Sequence, residues 1–594
     1  GNQKEMWNNM NKILGRNSNT ACTTKLAING QEISDERTVA NHFNNFFGTI
    51  GPQLASSISS SMNANKFGTL TRLPESIYLR PTSENEVILR IKDLETKKSA
   101  GPDAIPAVFI KDHHRIFAPL LRDVFNECIH TGHYPEFLKV ARVIPIHKSG
   151  DKTSVNNYRP ISILSVLNKI LEKLLVSRML EFFNSQNVLY THQYGFRAGS
   201  STLTAAHELV DEIYGAHDSR KIVGVLFLDL KKAFDTINHD ILLQKLEFYG
   251  IRGNVNDLIR SYLTNRSQYV VINGSKSADQ TMTVGVPQGS NLGPLLFLTY
   301  INDLPKLKLF GKPRLFADDT SLSYVTSHPD QIVLQMSSDL KKLQEFFAEN
   351  LLSLNLDKTK YMIFHQPYQN VPPHAELVVN STRVEKVKSF KYLGLIFDSK
   401  LNWIEHIKKL QREISSTCGL LWKLTKVIPT KQLVTFYHAF IHSKLSYMVS
   451  VWGAAGKTKL RSLQSLQNRC LKAVYRKPRL FSSLELFRQA DPSILPIMAL
   501  REMQSLMQIQ NLRYNPLAHH NQSFPSMSHT YSTRNQSALL LRRPRTECGK
   551  KTFEYYAKKQ HNDLPVSIKT IRNIPKFKDQ LMQHIRAKLN SYLN

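Results

Sequence analysis

Cysteine is scarce and unpaired in this 594-residue chain: Cys22, Cys128, Cys418, Cys470 and Cys548 stand far apart. An odd count without paired spacing argues against a disulfide framework and suits a reducing compartment. Cys128 with His130 and His133 does not make a structural zinc site, because no second Cys/His pair follows at finger spacing. No apolar run approaches the ~18 residues that a membrane-spanning helix needs, and the polar stretch Gly1 to Lys12 has no signal-type apolar core. No segment repeats. Acid is thin at the back: residues 401–594 carry 9 Asp/Glu against 32 Lys/Arg, or +23, whereas residues 1–400 carry 38 against 46, or +8. Those nine acids (among them Glu405, Glu413, Asp491 and Asp579) are scattered, and no Cys/His knuckle precedes them.

The whole chain carries +31, far beyond what solubility asks. A basic surface is the footprint of a polyanion partner. The length allows several domains with large cores. Residues 1–80 read as mostly helical, turning Ser/Asn-rich around Ser56–Asn65. From about residue 85 the pattern is mixed α/β. Helices are expected over Glu84–Leu94, 105–130, Leu164–Phe183, 239–249, 295–303 and 336–350, and strands over 139–146, 222–228, 360–365 and 390–397. Hairpins are expected at 268–273 with 281–286, and at 313–325. Past residue 400 the apolar residues recur at helical spacing (Trp403 to Leu424, Leu433 to Ile441, Leu460 to Val474), which reads as a helical bundle.

Two peptides carry the chemistry. Val225-Leu226-Phe227-Leu228 ends on Asp229, and Leu315-Phe316-Ala317 ends on Asp318-Asp319. Apolar runs that end on carboxylates read as buried strands with site residues at their tips. Carboxylates placed together repel by roughly 4 kcal/mol per close pair at a surface-like dielectric. A cation relieves this, and hard oxygen ligands suit Mg²⁺. Two Mg²⁺ ions clamping an in-line phosphoryl displacement is the chemistry of polymerases and nucleases. Side by side in one sheet, the strands would set Asp229 opposite Asp318. Asp235, six residues after Asp229, is spaced to cap the following helix.

The loop Gly285-Val286-Pro287-Gln288-Gly289-Ser290, leading to Gly293-Pro294, permits close approach of backbone to a ligand before a helix start. Lys148 and Arg159 flank a polar loop that would overhang the carboxylates, where their cations would meet phosphate. Arg469, Lys472 and Arg476 fall on one face of the third bundle helix, opposite the apolar face, and read as a phosphate-tracking surface. Arg542, Arg543 and Arg545 flank Pro544 in a basic loop fit to grip structured RNA. Gly453-Ala454-Ala455-Gly456-Lys457-Thr458 mimics a phosphate-binding P-loop but lacks its first glycine, since position 451 is Val451.

Taken in order, the stretches Ser99–Pro106, Ile144–Asp151, Asn157–Leu164, Gln193–Thr202, Phe227–Asp235, Gly285–Leu296, Phe316–Thr320, Leu354–Phe364 and Phe390–Asp398 resemble a non-LTR (LINE-type) retrotransposon reverse transcriptase over residues ~85–400. The resemblance implies an α+β multidomain, right-hand polymerase. It places a helical N-terminal extension at 1–84, fingers at 85–210, palm at 211–400, helical thumb at 401–490 and a basic C-terminal nucleic-acid-binding segment at 491–594. It implies Asp229 and Asp318 as ligands of two catalytic Mg²⁺ ions with Asp319 supporting, Phe234 as the aromatic steric gate, and Gln288 in the nucleotide pocket. Arg159 and Lys148 would take the dNTP triphosphate. Lys358, with Lys360 as fallback, would be the lysine serving the departing pyrophosphate, and Tyr392-Leu393-Gly394 the primer grip.

By the same resemblance the activity is RNA-directed DNA synthesis on the element's own RNA from a nicked-DNA 3′-hydroxyl, that is, target-primed reverse transcription. Such elements need a nuclease to nick their target, and the scattered acids of the back third do not supply one. A chain opening directly on the extension is therefore expected to derive from a longer parent with an upstream endonuclease. Template RNA and target DNA are the expected partners, with no membrane. The nucleus is the expected site of action, after a cytoplasmic ribonucleoprotein stage. A group II intron-type reverse transcriptase with a maturase role, and a non-catalytic nucleic-acid-binding protein derived from such an element, remain alternatives.

Overall fold

The computed structural model describes residues 8, 25–28, 30–58, 70–96, 99–366, 368–369, 376–379, 382–515 and 538–593. Its centre is a six-stranded sheet in the order Leu377–Val379, Thr382–Lys386, Lys360–Phe364, Ile222–Leu228, Asp319–Thr326, Lys312–Phe316. The seven residues Ile222–Leu228 are all buried. Their side chains alternate between two cores. Ile222, Leu226 and Leu228 face one cluster with Ile332 and Met336 of the helix Pro329–Glu349. Val223, Val225 and Phe227 face another with Leu209 and Ile213 of the helix Thr202–Asp218. A strand covered on both faces needs an unbroken apolar run, which is why this segment is legible in the sequence.

A second, five-stranded sheet runs Tyr158–Ile163, Val140–His147, Arg266–Ile272, Ser275–Lys276, with Gln280–Met282 also paired to Arg266–Ile272. The stretch after Tyr158 is strand, although Pro160 lies in it. Tyr158–Ile163 is the sheet edge, where a proline costs no ladder bond. The expected strand 281–286 is shorter, since only Gln280–Met282 pairs. The expected strand 390–397 is a tight hairpin, Ser389–Tyr392 with Leu395–Asp398. Leu393 (φ 46°) and Gly394 (φ 86°) both take the left-handed backbone that a two-residue hairpin turn requires.

The described part of the front segment is not all helical. A small hairpin, Leu26–Ile28 with Gln31–Ile33, precedes the helix Glu36–Ser56. That helix starts on Asp35, whose carboxylate accepts from the Thr38 N–H (2.8 Å). Its Val39, Phe43 and Phe47 pack against Val143 and Tyr158 of the second sheet. Gly51 meets the site directly, because a Cβ there would collide with the Asp235 carbonyl oxygen.

The back of the chain is helical, as its periodicity indicates. Ile404–Leu424, Thr430–Tyr437 and Lys457–Val474 form the bundle, and Ile497–Tyr514 and Ile574–Ala587 share its core. The glycine-rich mimic at 453–458 follows the helix Val449–Trp452 and runs into the first residues of Lys457–Val474, with no strand ahead of it. Two aspartates of the helix Thr202–Asp218 fasten the C-terminal segment to the central sheet. Asp211 accepts from the Phe553 and Glu554 N–H groups (2.6 and 3.1 Å), and Asp218 from those of Arg545 and Thr546 (3.0 and 2.6 Å).

Candidate active site

The strands Ile222–Leu228 and Asp319–Thr326 pair antiparallel with Leu228 opposite Thr320. The ladder ends at that pair; its register continued by one step would set Asp229 level with Asp319 and not with Asp318 as the sequence suggests. The difference is one residue of register. Ala317 and Asp318 form the turn joining Lys312–Phe316 to Asp319–Thr326, with Ala317 in the left-handed region (φ 55°). Asp318 therefore stands on the tip of the hairpin, beside the other two acids.

The electrostatics agree with one crowded site. Burial holds Asp318 above the usual carboxylate range, and the negative charge of Asp229 adds to this. Asp319 is exposed at its surface but crowded about its carboxylate. It is pushed up to about 6, by desolvation first and then by Asp318 and Asp229. Lys148 and Arg159 act on both aspartates in the opposite sense. These cations lie at the end of the hairpin Val140–His147/Tyr158–Ile163, where Ile146 faces Arg159 and the Lys148 N–H donates to the Asn157 carbonyl (2.8 Å). Lys148 is itself lowered, by desolvation and then by Arg159 and Lys358.

The three acids offer carboxylate oxygens only, a donor set suited to a hard divalent cation. Among the described residues no group of three or more His, Cys, Asp or Glu is arranged to hold a metal ion as it stands. Asp229 Oδ2 is instead engaged by Asn355 Nδ2 (2.9 Å) and approached by Lys358 Nζ (3.8 Å). Lys358 is thus the lysine at the carboxylates. Lys360 pairs with Glu385 at 2.8 Å on the next strand.

Phe234 is half-buried, with its ring stacked on Phe297 (centroids 4.7 Å, 24°). The glycine-rich loop is tied to the same segment by Val286 N–H to Phe234 O (3.0 Å) and Gly285 N–H to Ile237 O (2.8 Å). Gln288 Nε2 donates to Asp235 Oδ1 (2.7 Å). Asp235 is therefore no helix cap; Asn238 caps the helix His239–Phe248 through the Ile241 N–H. Asp235 sits too early for that helix, and burial pushes its carboxyl up to about 6 while Gln288 and Lys232 oppose the shift.

Tyr392 is buried on Phe227 (centroids 5.2 Å), and Tyr447 Oη donates to the Leu393 carbonyl (2.9 Å). A cavity of about 350 Å³ opens between the hairpin Ser389–Asp398 and the acids, lined among others by Asp229, Asp319, Lys358, Lys360, Tyr392 and Leu393.

Two residues escaped the sequence reading. Gln193, 2% exposed, accepts through Oε1 from the N–H groups of Gly195 (2.9 Å) and Ala317 (3.1 Å) and so holds the Asp318 turn. Lys232 Nζ donates to the Tyr158 carbonyl (3.2 Å), joining the Asp229 loop to the second sheet. No motif chemistry marks a buried glutamine, and Lys232 reads as an ordinary polar position after a strand.

Among the described residues, none of Arg469, Lys472, Arg476, Arg542, Arg543 and Arg545 forms an ion pair with Asp229, Asp318 or Asp319. Arg476 lies past the helix end at Val474, in the left-handed region (φ 52°), so it does not share the helix face of Arg469 and Lys472. Its Nη2 donates to the carbonyls of Thr425 (3.1 Å) and Ile428 (3.0 Å), and Lys472 Nζ to that of Arg479 (2.6 Å). Both cations are thus engaged by backbone carbonyls of neighbouring turns, although Arg476 remains exposed. Arg542 and Arg543 line a separate polar cavity of about 200 Å³ with Asp211, Asp218 and Lys558.

Residues 146–397 match the family model described as "Reverse transcriptase (RNA-dependent DNA polymerase)". The chain is 28% identical over 462 residues to the "Probable RNA-directed DNA polymerase from transposon BS" of Drosophila melanogaster, covering 75% of this chain and 50% of that protein. It is 27% identical over 460 residues to the "RNA-directed DNA polymerase from mobile element jockey" of the same species (75% and 49%). It is 23% identical over 452 residues to the "Retrovirus-related Pol polyprotein from type-1 retrotransposable element R1" of Bradysia coprophila (74% and 43%). The chain spans about half the length of the curated relatives it matches.

Proposed function

We propose that this chain, which carries a reverse transcriptase domain of the non-LTR retrotransposon type, is an RNA-directed DNA polymerase that copies element RNA from a nicked-DNA 3′-hydroxyl. The observation that carries the reading is the register of Ile222–Leu228 with Asp319–Thr326, which gathers Asp229, Asp318 and Asp319 under Lys148 and Arg159. Asp229 and Asp318 would hold two Mg²⁺ ions, with Asp319 supporting. Bound there, the ions would activate the attacking hydroxyl and steady the leaving oxygens.

The chain's own residues do the rest. Arg159 and Lys148 neutralise the triphosphate from above. Phe234, propped on Phe297, would be the ring under the sugar that excludes a 2′-hydroxyl. Gln288, its amide N–H fixed by Asp235, would offer its carbonyl oxygen to the incoming nucleotide. Lys358 is poised to give a proton to the departing pyrophosphate. Of the proposed primer grip Tyr392-Leu393-Gly394, Tyr392 and Leu393 line the cavity that would take the primer end.

In these terms residues 85–210 are fingers, 211–400 palm, 401–490 thumb and 491–594 a nucleic-acid-binding segment, with 1–84 the extension. Template RNA and primer DNA are the partners. Arg469, Arg542, Arg543 and Arg545 are the exposed cations we assign to them. An endonuclease elsewhere in the parent protein would nick the target in the nucleus, a division of labour consistent with the greater length of the relatives. Asp318→Asn tests the reading: dNTP incorporation on an RNA template should vanish while RNA affinity stays within about twofold of the wild type. Full incorporation by that variant refutes it.

A further inference from the structure

The segment Gln193-Tyr194-Gly195-Phe196 is pinned to the strand that ends at the acids. The Tyr194 N–H donates to the Leu315 carbonyl (2.8 Å) and the Leu315 N–H to the His192 carbonyl (3.0 Å). Gln193 ties Gly195 to Ala317 as described. After three buried residues comes Phe196, a large aromatic left 58% exposed, with φ 54°. A bulky side chain in the left-handed region is strained and persists only where its surroundings hold it. Here the residues on both sides are held, as Arg197 Nη1 donates to the Tyr190 carbonyl (2.7 Å). The result of the strain is one contact: the Phe196 ring stands edge-on to Phe234, with centroids 6.2 Å apart and planes at 84°.

Phe234 thus has two ring neighbours of different kinds. Phe297 supports it from one face, which fixes its height. Stacking alone leaves the ring free to slide and swing in its own plane. An edge-on partner stops that movement, and T-shaped packing is a favoured aromatic geometry.

We propose that Phe196 is a positioning residue for sugar selection, holding the Phe234 ring in place against the incoming nucleotide. This rests on the reading of Phe234 as the steric gate and deepens it. Because Phe196 is indexed to the strand Lys312–Phe316, which leads into Asp318, the gate is set relative to the catalytic carboxylates and not merely to its own loop. Without the ring of Phe196, Phe234 swings aside part of the time and a ribonucleoside triphosphate fits.

The test is the ratio of kcat/KM for a deoxyribonucleoside triphosphate to that for the matching ribonucleoside triphosphate, in primer extension on an RNA template with the full chain. The ratio is independent of the fraction of enzyme that folds. Phe196→Ala should lower it roughly three- to tenfold, the size of one aromatic pair. Phe196→Tyr, which keeps the ring edge, should restore it, and Phe196→Leu should fall between. Phe234→Ala should lower it further, and adding Phe196→Ala to Phe234→Ala should change nothing more, since the first acts through the second. An unchanged ratio in Phe196→Ala beside a lowered one in Phe234→Ala overturns the inference alone. An unchanged ratio in Phe234→Ala overturns the gate reading and the inference with it.

Discussion

Gln193→Leu is the sharpest probe of how the acids are held. The wild-type side chain is buried, and its Oε1 accepts two backbone N–H groups, those of Gly195 and Ala317. Its Nε2 has no protein partner, so the contribution comes from the oxygen. Leucine fills a similar volume and removes the acceptor. Each buried donor left unsatisfied costs about 1–3 kcal/mol. With partial relaxation the pair should cost ~2–4 kcal/mol of local stability. At 1.4 kcal/mol per decade, amide exchange at Ala317 and Gly195 should quicken by roughly 30- to 1,000-fold. Amides in the middle of Ile222–Leu228, buried on both faces, should exchange as before.

The functional consequence follows from where the loss falls. Ala317 is the left-handed residue immediately before Asp318, so a loose turn misplaces that carboxylate. A misplacement near 1 Å costs on the order of a hundredfold in rate. The fall should appear in kcat, with KM for dNTP little changed, because Arg159 and Lys148, the cations proposed to take the triphosphate, sit at the end of another sheet. Hydrogen exchange by mass spectrometry and steady-state primer extension read the two effects. Wild-type exchange at Ala317 in Gln193→Leu would refute the reasoning, whatever the activity.

Lys358→Ala should slow single-turnover incorporation by roughly a hundred- to ten-thousandfold, the range of lost general acid catalysis, whereas Lys360→Ala, breaking a surface-strand pair with Glu385, should change it by less than about twofold. Gly51→Ala forces a methyl onto the Asp235 carbonyl and should destabilise the front of the molecule by ~1–3 kcal/mol in urea unfolding and raise KM for dNTP; an unaltered KM would show that the front helix does not reach the pocket. RNA affinity should fall steeply with salt, each neutralised phosphate adding roughly 0.7–0.9 to the log–log slope, and a flat titration would place the +23 of residues 401–594 away from nucleic acid.

Much of this architecture is legible in the sequence because it rests on unbroken patterns. Ile222–Leu228 is buried on both faces and so spells a continuous apolar run. The bundle helices show their spacing because each has one dry face. What the pattern hides is register and short-range geometry. The register that ends at Leu228 and Thr320 sets Asp229 nearer the level of Asp319 because pairing is set by the whole strand, and two adjacent aspartates give no clue to which one lies in the turn. Asp235 stands near a helix start, yet Asn238 takes the cap and leaves Asp235 for Gln288. Arg476 fits a helical wheel, but the helix stops at Val474. The hairpin at 389–398 looks like one strand because its two-residue turn, Leu393-Gly394, carries a single weak signal.

The arrangement of charges has a mechanical consequence. The acids belong to the six-stranded sheet, where Ile222–Leu228 is locked by neighbours on both edges along its length. The cations belong to the overhanging end of a different sheet, where Tyr158–Ile163 is an edge strand. Few bonds relate the two: Lys232 Nζ to the Tyr158 carbonyl (3.2 Å), the Ser162 N–H to the Gln288 carbonyl (2.7 Å), and the front helix, whose Phe43 ring meets Tyr158 edge-on while Gly51 abuts Asp235. Carboxylates that orient a nucleophile must be rigid, because error there is paid in rate. Cations that collect a triphosphate must admit it and release pyrophosphate, which calls for movement on the scale of a hairpin. On the proposed function, acids beside a strand paired on both edges and cations at the end of an edge strand would suit these two needs. The front helix touches both sides, Tyr158 through the Phe43 ring and the Asp235 carbonyl beside Gly51.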